Sequence, residues 1–463
     1  MRKSLLLVFL CLSLVIGHGA NGTLIGLNNS FSSNHITRTK EPETVNVSIT
    51  PGRKDAMFDA KHPVKYFIEV ANTYKTSEEG KIQVEVKTDV GGTVGKSEIA
   101  IKLKGNKTKK IEWDLPMQDP GFYDIVVTIN LTDYDDTVRN VFGYKPFEIN
   151  TPVHRPADFD AFWQKAKDDL SGVNPDYVVT PVDSLSTPTH RVYRVEMNSL
   201  DNVRIFGWLT IPRTKGKYPV LYGLGGYRIE MHPLKFDDFA HFTINVRGIG
   251  ESNHKINPGN QEILTLHLVD KNKYVYRGIY MDCLRGLEFL LAHENMGLDA
   301  SRIGLFGGSQ GGTLAWILAA LSKKVMFCVV DNPTYCDYTE NYKICINKPQ
   351  PEGGFVIKFL KDFLKKHSSI SKDKMLNTLS YFEAQNFISD VNCPVLLGLG
   401  LLDLTAPPTC TLSVYNKLSA DVRKRSEVFA FPNLAHEVPM EHNTFKSTWF
   451  YENFANKLLT SKR

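Results

Sequence analysis

Two hydrophobic rhythms divide this chain. Between residues 44 and 150, apolar and polar positions alternate in short segments, best seen in Val84-Glu85-Val86-Lys87 and Ile99-Ala100-Ile101-Lys102-Leu103. A period of two puts one face of a strand against a core and the other in water. Segments 45–49, 64–70, 82–86, 98–103, 109–113, 123–130 and 137–147 read as strands on this basis, divided by polar or Gly/Pro turns. Seven short strands in roughly 100 residues with no helical stretch predict an all-β, immunoglobulin-like sandwich over 44–150.

The rhythm changes after Thr151-Pro152-Val153-His154-Arg155-Pro156, which reads as a boundary. Phe159, Phe162, Trp163, Ala166 and Leu170 form a helical stripe, with Asp158 placed to cap it. Antiparallel strands are expected at 191–197 and 204–211. Continuous apolar runs follow at 218–224, 241–246, 303–306, 325–330, 394–399 and 427–431, with helical segments such as 278–293, 313–321 and 444–459 among them. Unbroken apolar runs alternating with helices are the pattern of a parallel sheet covered on both faces. Residues 151–463 are therefore predicted to form one doubly wound α/β domain. The stretch 332–386, containing Pro349, Pro351, Gly353 and Gly354, interrupts the alternation and is expected to cover the cleft.

The first residues follow neither rhythm. Arg2 and Lys3 precede an apolar run to Ile16 and small residues at Gly17, Gly19 and Ala20, the layout of a signal peptide over 1–20. That run is too short to span a bilayer. An Asn/Ser/Thr-rich leader occupies 21–43, and export is expected, to the periplasm or beyond the cell. With 42% hydrophobic residues, 23% charged residues and a net charge of +5, the composition is that of a globular protein and makes no case for nucleic acid. Beyond Cys11 the cysteines all follow residue 280. Cys336 and Cys345 can pair in an oxidising compartment, whereas no Cys or His spacing suggests a metal site.

The chemistry centres on Gly307-Gly308-Ser309-Gln310-Gly311-Gly312, between the run 303–306 and the helix 313–321. A serine on a tight strand-to-helix turn needs neighbours without Cβ atoms, and the helix N-terminus then faces any oxyanion formed beside it. The G-x-S-x-G spacing in that context predicts the nucleophile elbow of an α/β-hydrolase. A serine hydroxyl needs a histidine to take its proton, and that histidine needs a carboxylate on its other ring nitrogen. The expected order is Ser, acid, His. His436 follows the last predicted strand and is the candidate base, with His442 in reserve; His367 falls in a polar, exposed run. Asp403 ends the next-to-last strand and is the candidate acid, with Asp331 as alternative. Backbone amides of Gln310 and of Tyr227, in Gly225-Gly226-Tyr227, are the candidate oxyanion hole, and the Tyr227 ring is a candidate substrate contact.

Over about residues 155–460 the chain resembles the acetyl xylan esterase/cephalosporin C deacetylase family. The resemblance is carried by Gly226-Tyr227, Arg247-Gly248-Ile249-Gly250, Tyr276-Arg277-Gly278-Ile279-Tyr280-Met281-Asp282, Gly307 to Gly312, Asp403 with Pro407-Pro408, and His436-Glu437. It implies a triad of Ser309, Asp403 and His436 and an oxyanion hole at Tyr227 and Gln310. It further implies removal of acetyl groups from xylo-oligosaccharides and other small esters without a cofactor, and it allows a homo-oligomer. Alternative readings are a prolyl-oligopeptidase-like peptidase and a glycan-binding protein that keeps a hydrolase shell.

Overall fold

The computed structural model describes residues 44–253, 262–346, 348 and 354–460, and residues from Val45 onward form one compact unit. The expected signal peptide and leader lie outside the described residues.

Strands β1 (Val45–Pro51), β3 (Val64–Asn72) and β6 (Thr108–Leu115) form one antiparallel sheet. A second, of order β2-β8-β7-β4-β5, contains β2 (Met57–Phe58), β4 (Glu78–Thr88), β5 (Thr93–Leu103), β7 (Gly121–Leu131) and β8 (Asp135–Tyr144). Tyr66, Ile68 and Val70 of the first sheet and Ile82, Val84, Val86, Ile125 and Val127 of the second are all 0% exposed. The alternation thus builds the core of a β-sandwich as expected. The last strand stops at Tyr144 instead of 147, because Pro146 has no N–H for the ladder and opens a 3₁₀ turn, Pro146–Glu148. The two-residue β2 was not expected.

The second sheet system is the mixed nine-stranded sheet of an α/β-hydrolase. It comprises β9 (Val178–Pro181), β10 (His190–Ser199), β11 (Val203–Pro212), β12 (Tyr218–Leu224), β13 (Ala240–Asn245), β14 (Leu298–Gly308), β15 (Phe327–Asp331), β16 (Val395–Gly400) and β17 (Glu427–Phe431). Their order is β17-β16-β15-β14-β12-β13-β11-β10-β9. Pairing is antiparallel from β9 through β11 to β13 and parallel from β13 to β17. Every residue of β13 and β16 is buried, which explains their unbroken apolar runs. Only the exposed edge strand β9 escaped the sequence pattern.

The helices in chain order are α1 (Phe159–Ser171), α2 (Val275–Ala292), α3 (Gln310–Leu321), α4 (Tyr338–Cys345), α5 (Phe355–Lys366), α6 (Lys372–Leu379), α7 (Pro408–Asn416), α8 (Ala420–Arg423) and α9 (Met440–Thr460). The stripe of α1 is buried as expected, but Asp158 does not cap it; its carboxylate instead accepts from Lys271 and Tyr381. The described residues of 332–386 include α4, α5 and α6. Within it α5 turns Val356, Ile357, Leu360 and Phe363 inward and leaves Lys358, Lys361, Lys365 and Lys366 exposed. No helix among the described residues is long and apolar enough to cross a membrane.

Cys336 and Cys345 do not pair. What the sequence suggested was a polar loop between them is largely α4. Each buried thiol faces a separate carbonyl, Cys336 that of Pro333 and Cys345 that of Leu404, both at 3.2 Å.

One buried ion pair ties α2 to the loop after β13. The Asp282 carboxylate, fully buried, accepts from the Arg247 backbone N–H and Nε at 2.9 Å each and from Nη2 at 2.7 Å. The Arg247 Nη2 also donates to the Leu200 carbonyl at 3.0 Å. Removing one partner strands a desolvated charge, so Asp282→Ala is expected to lower unfolding stability by about 3–5 kcal/mol, measured by urea titration.

Candidate active site

The nucleophile elbow is built by close packing. A Cβ on Gly311 would lie 2.1 Å from the Leu224 carbonyl oxygen, and one on Gly307 would lie 2.5 Å from the carbonyl carbon of Gly311. Glycine at both positions lets the turn close against the end of β12. Ser309 itself adopts φ 57°, ψ −128°, a conformation that costs a non-glycine residue on the order of 1–3 kcal/mol. Its N–H donates to the Asp331 carbonyl at 2.9 Å, and its carbonyl accepts from Gly312 and Thr313, so the strain is held by hydrogen bonds on both sides.

From this perch the Ser309 Oγ lies 2.8 Å from His436 Nε2, and His436 Nδ1 lies 2.6 Å from Asp403 Oδ2. The other carboxylate oxygen, Asp403 Oδ1, accepts from the backbone N–H groups of Thr405 and Ala406 at 2.8 and 2.9 Å. Asp403 is fully buried and His436 half-buried. Burial pushes the His436 imidazole toward its neutral form, but the charge of Asp403 and the hydrogen bond to it outweigh that effect and raise its pKa above 6.5.

Both reserve residues have another occupation. Asp331 ends β15 beneath the elbow, and its carboxylate accepts from His442 Nε2 at 3.1 Å and from Lys446. Burial would raise the Asp331 pKa, but the His442 hydrogen bond and the Lys446 charge together hold it below the usual range. The two alternatives therefore pair with each other and fasten α9 to β15, the strand beside the one that leads into the elbow. His367 ends α5 on the surface, as expected.

Gln310 opens α3, so its N–H belongs to the first turn, which has no intrahelical acceptors. The loop after β12 lies against this turn: a Cβ on Gly311 would also sit 3.2 Å from the Gly225 carbonyl carbon, and one on Gly226 would sit 3.9 Å from the Gly308 oxygen. The Tyr227 ring stacks on Phe355 of α5 at 5.5 Å, and its hydroxyl donates to Glu262 Oε2 at 2.9 Å. Sequence reasoning assigned no role to Tyr276 or Tyr335. The Tyr276 hydroxyl donates to Gln310 Oε1 at 2.6 Å and lies 3.0 Å from the Tyr335 hydroxyl. Burial raises both phenol pKa values, keeping these groups protonated as donors. Tyr276 stands in one of the quoted motifs, but only the fold brings it to the residue after the serine.

Fold and constellation together define an α/β-hydrolase with a hydrogen-bonded Ser–His–Asp file at the carboxyl ends of its strands. Residues 144–454 match the family model described as acetyl xylan esterase (AXE1), and the chain belongs to that family of ester hydrolases. It is 25% identical over 406 residues to the acetyl esterase Axe7A of Xylanibacter ruminicola, covering 81% of this chain and 87% of that protein. That share of the chain exceeds residues 151–463, so the similarity reaches back into the β-sandwich, further than the expected 155–460. Among solved structures, the acetyl xylan esterase from Paenibacillus sp. R4 superposes with a TM-score of 0.59 at 25% identity, over 66% of this chain and 98% of that one. Acetyl xylan esterase 1 from Thermoanaerobacterium sp. JW/SL YS485 gives a TM-score of 0.59 at 22% identity, over 67% and 98%.

A base must be neutral to accept a proton, and the raised His436 pKa extends its protonated form to higher pH. Ester hydrolysis is expected to fall on acidification with a kcat/KM midpoint above the ordinary imidazole value of about 6.5. A pH–rate profile measures it.

Proposed function

We propose that this chain is an exported serine esterase that removes acetyl groups from acetylated carbohydrates such as xylo-oligosaccharides. The observation that carries the reading is the continuous file from Ser309 Oγ through His436 to Asp403, at 2.8 and 2.6 Å. His436 Nε2 takes the serine proton as Oγ attacks the acetyl carbonyl. Asp403 holds the Nδ1–H and balances the imidazolium, while the amides of Gln310 and Tyr227 receive the oxyanion. The sugar hydroxyl leaves with the proton from His436, and an acetyl-enzyme remains on Ser309. Water then repeats the sequence, releasing acetate and restoring the serine. Export is supported by the charged, apolar and small-residue order of the first 20 residues.

Ser309→Ala is expected to abolish hydrolysis of an acetylated xylo-oligosaccharide, read as released acetate, without loss of fold. Asp403→Asn is expected to lower the rate by on the order of 10³–10⁴, because the imidazole loses its orienting acceptor. Asp331→Asn should leave kcat far closer to wild type, and a reversal of that order would move the acid to Asp331.

A short acyl group fits this site best. The Tyr227 ring is fixed beneath α5, and α5 spends its apolar face on the interior while presenting lysines to solvent. Neither feature offers a channel in which each added methylene could contribute about 0.8 kcal/mol. Along a 4-nitrophenyl ester series kcat/KM is expected to decrease from acetyl to butyryl and to be minimal for octanoyl; a rise through eight carbons would indicate a general carboxylesterase.

A further inference from the structure

The loops that carry the acid and the base are braced from outside the catalytic sheet. We infer that Asn140 of the β-sandwich and Asn433 of the histidine loop are positioning residues for His436, making the sandwich part of the catalytic apparatus. This rests on Ser309, His436 and Asp403 acting as proposed above.

Asn140 lies on β8 and is 4% exposed. Its Oδ1 accepts from the hydroxyl of Tyr66, a fully buried sandwich residue, at 3.2 Å. That bond sets the carboxamide so that Nδ2 donates to Asn433 Oδ1 at 3.1 Å. Asn433 stands three residues before His436 on the short loop after β17. The same loop is pressed against the acid loop. Leu402 N–H donates to the Leu434 carbonyl at 2.9 Å, and a Cβ on Gly400 would lie 1.9 Å from the Ala435 oxygen. A shift of residues 433–435 is thereby transmitted both to His436 and to the segment leading into Asp403.

The acid side is fastened in the same way. Asp89 at the end of β4 accepts from Thr409 Oγ1 in the first turn of α7, six residues beyond Asp403. Asp124 of β7 pairs with Lys348 at 3.1 Å. Between these points the two layers stand apart around a cleft of about 300 Å³, lined in part by Tyr123, Arg139, Leu402 and Pro407. Where packing is interrupted, individual hydrogen bonds set the loop position. A catalytic group displaced by about 1 Å can lose on the order of 100-fold in rate, so one such bond bears directly on turnover.

The test uses the full chain with Asn140→Ala, Asn433→Ala and the double variant. Asn433 is exposed, so its truncation leaves both cores intact even if Asn140→Ala fails to fold. Asn433→Ala is expected to lower kcat by about tenfold with KM unchanged. Its acid limb should also move down toward 6.5, because a loosened His436 loses part of its contact with Asp403. If Asn140→Ala folds, the double variant should be no slower than the slower single one, since the two residues share one bond. Wild-type kcat with an unmoved acid limb in Asn433→Ala overturns the inference, as do additive losses in the double variant. Activity retained by Ser309→Ala in the same assay would instead overturn the serine mechanism, so the two failures are distinguishable.

Discussion

A buried carboxylate constrains everything around it. Asp403 is fully enclosed, and an unpaired charge there would cost several kcal/mol. Its two oxygens are accordingly occupied, one by the Thr405 and Ala406 amides and the other by His436. The amides require the chain to turn sharply just beyond β16. The imidazole requires the loop after β17 to return across the end of the sheet. Once both conditions hold, the second ring nitrogen can only point toward the elbow, where Ser309 waits at 2.8 Å.

The elbow has constraints of its own, met by a different set of residues. Its positive φ is tolerated because the surrounding backbone fixes it, and the Asp331 carbonyl receives the Ser309 N–H. The Asp331 side chain meanwhile binds His442 and Lys446 of α9. The last helix is thereby tied to the strand next to the elbow. An acid and a histidine thus serve as a structural fastener in the same fold that sets Asp403 and His436 in line with Ser309.

The same economy governs α5. The inner face of α5 covers apolar surface and stacks on Tyr227, while the Tyr227 hydroxyl is held by Glu262. The loop after β12 is consequently fixed from two directions. Its glycines allow the close approach to the elbow, and its tyrosine supplies the anchor that stops the loop from drifting.

Much of this architecture is written in local patterns. Period-two alternation marks the sandwich because each strand there has one wet face, and unbroken apolar runs mark the central strands because both their faces are covered. Ser309 was legible because the turn's sterics admit so few residues, and Asp403 and His436 because chain order and strand ends narrow the choice. The edge strand β9 was not legible, since it has little buried face to bias its composition. The Asp331–His442 pair, the Tyr276 hydroxyl on Gln310 and the Asn140–Asn433 bond were equally invisible. Each joins residues 34 or more positions apart, most of them more than 100, by a contact with no sequence period. The sequence alone determined which residue types stand at strand ends and turns. Which of two acids meets which of two histidines was decided only when the sheet order set β15, β16 and β17 side by side and brought their loops within hydrogen-bonding distance.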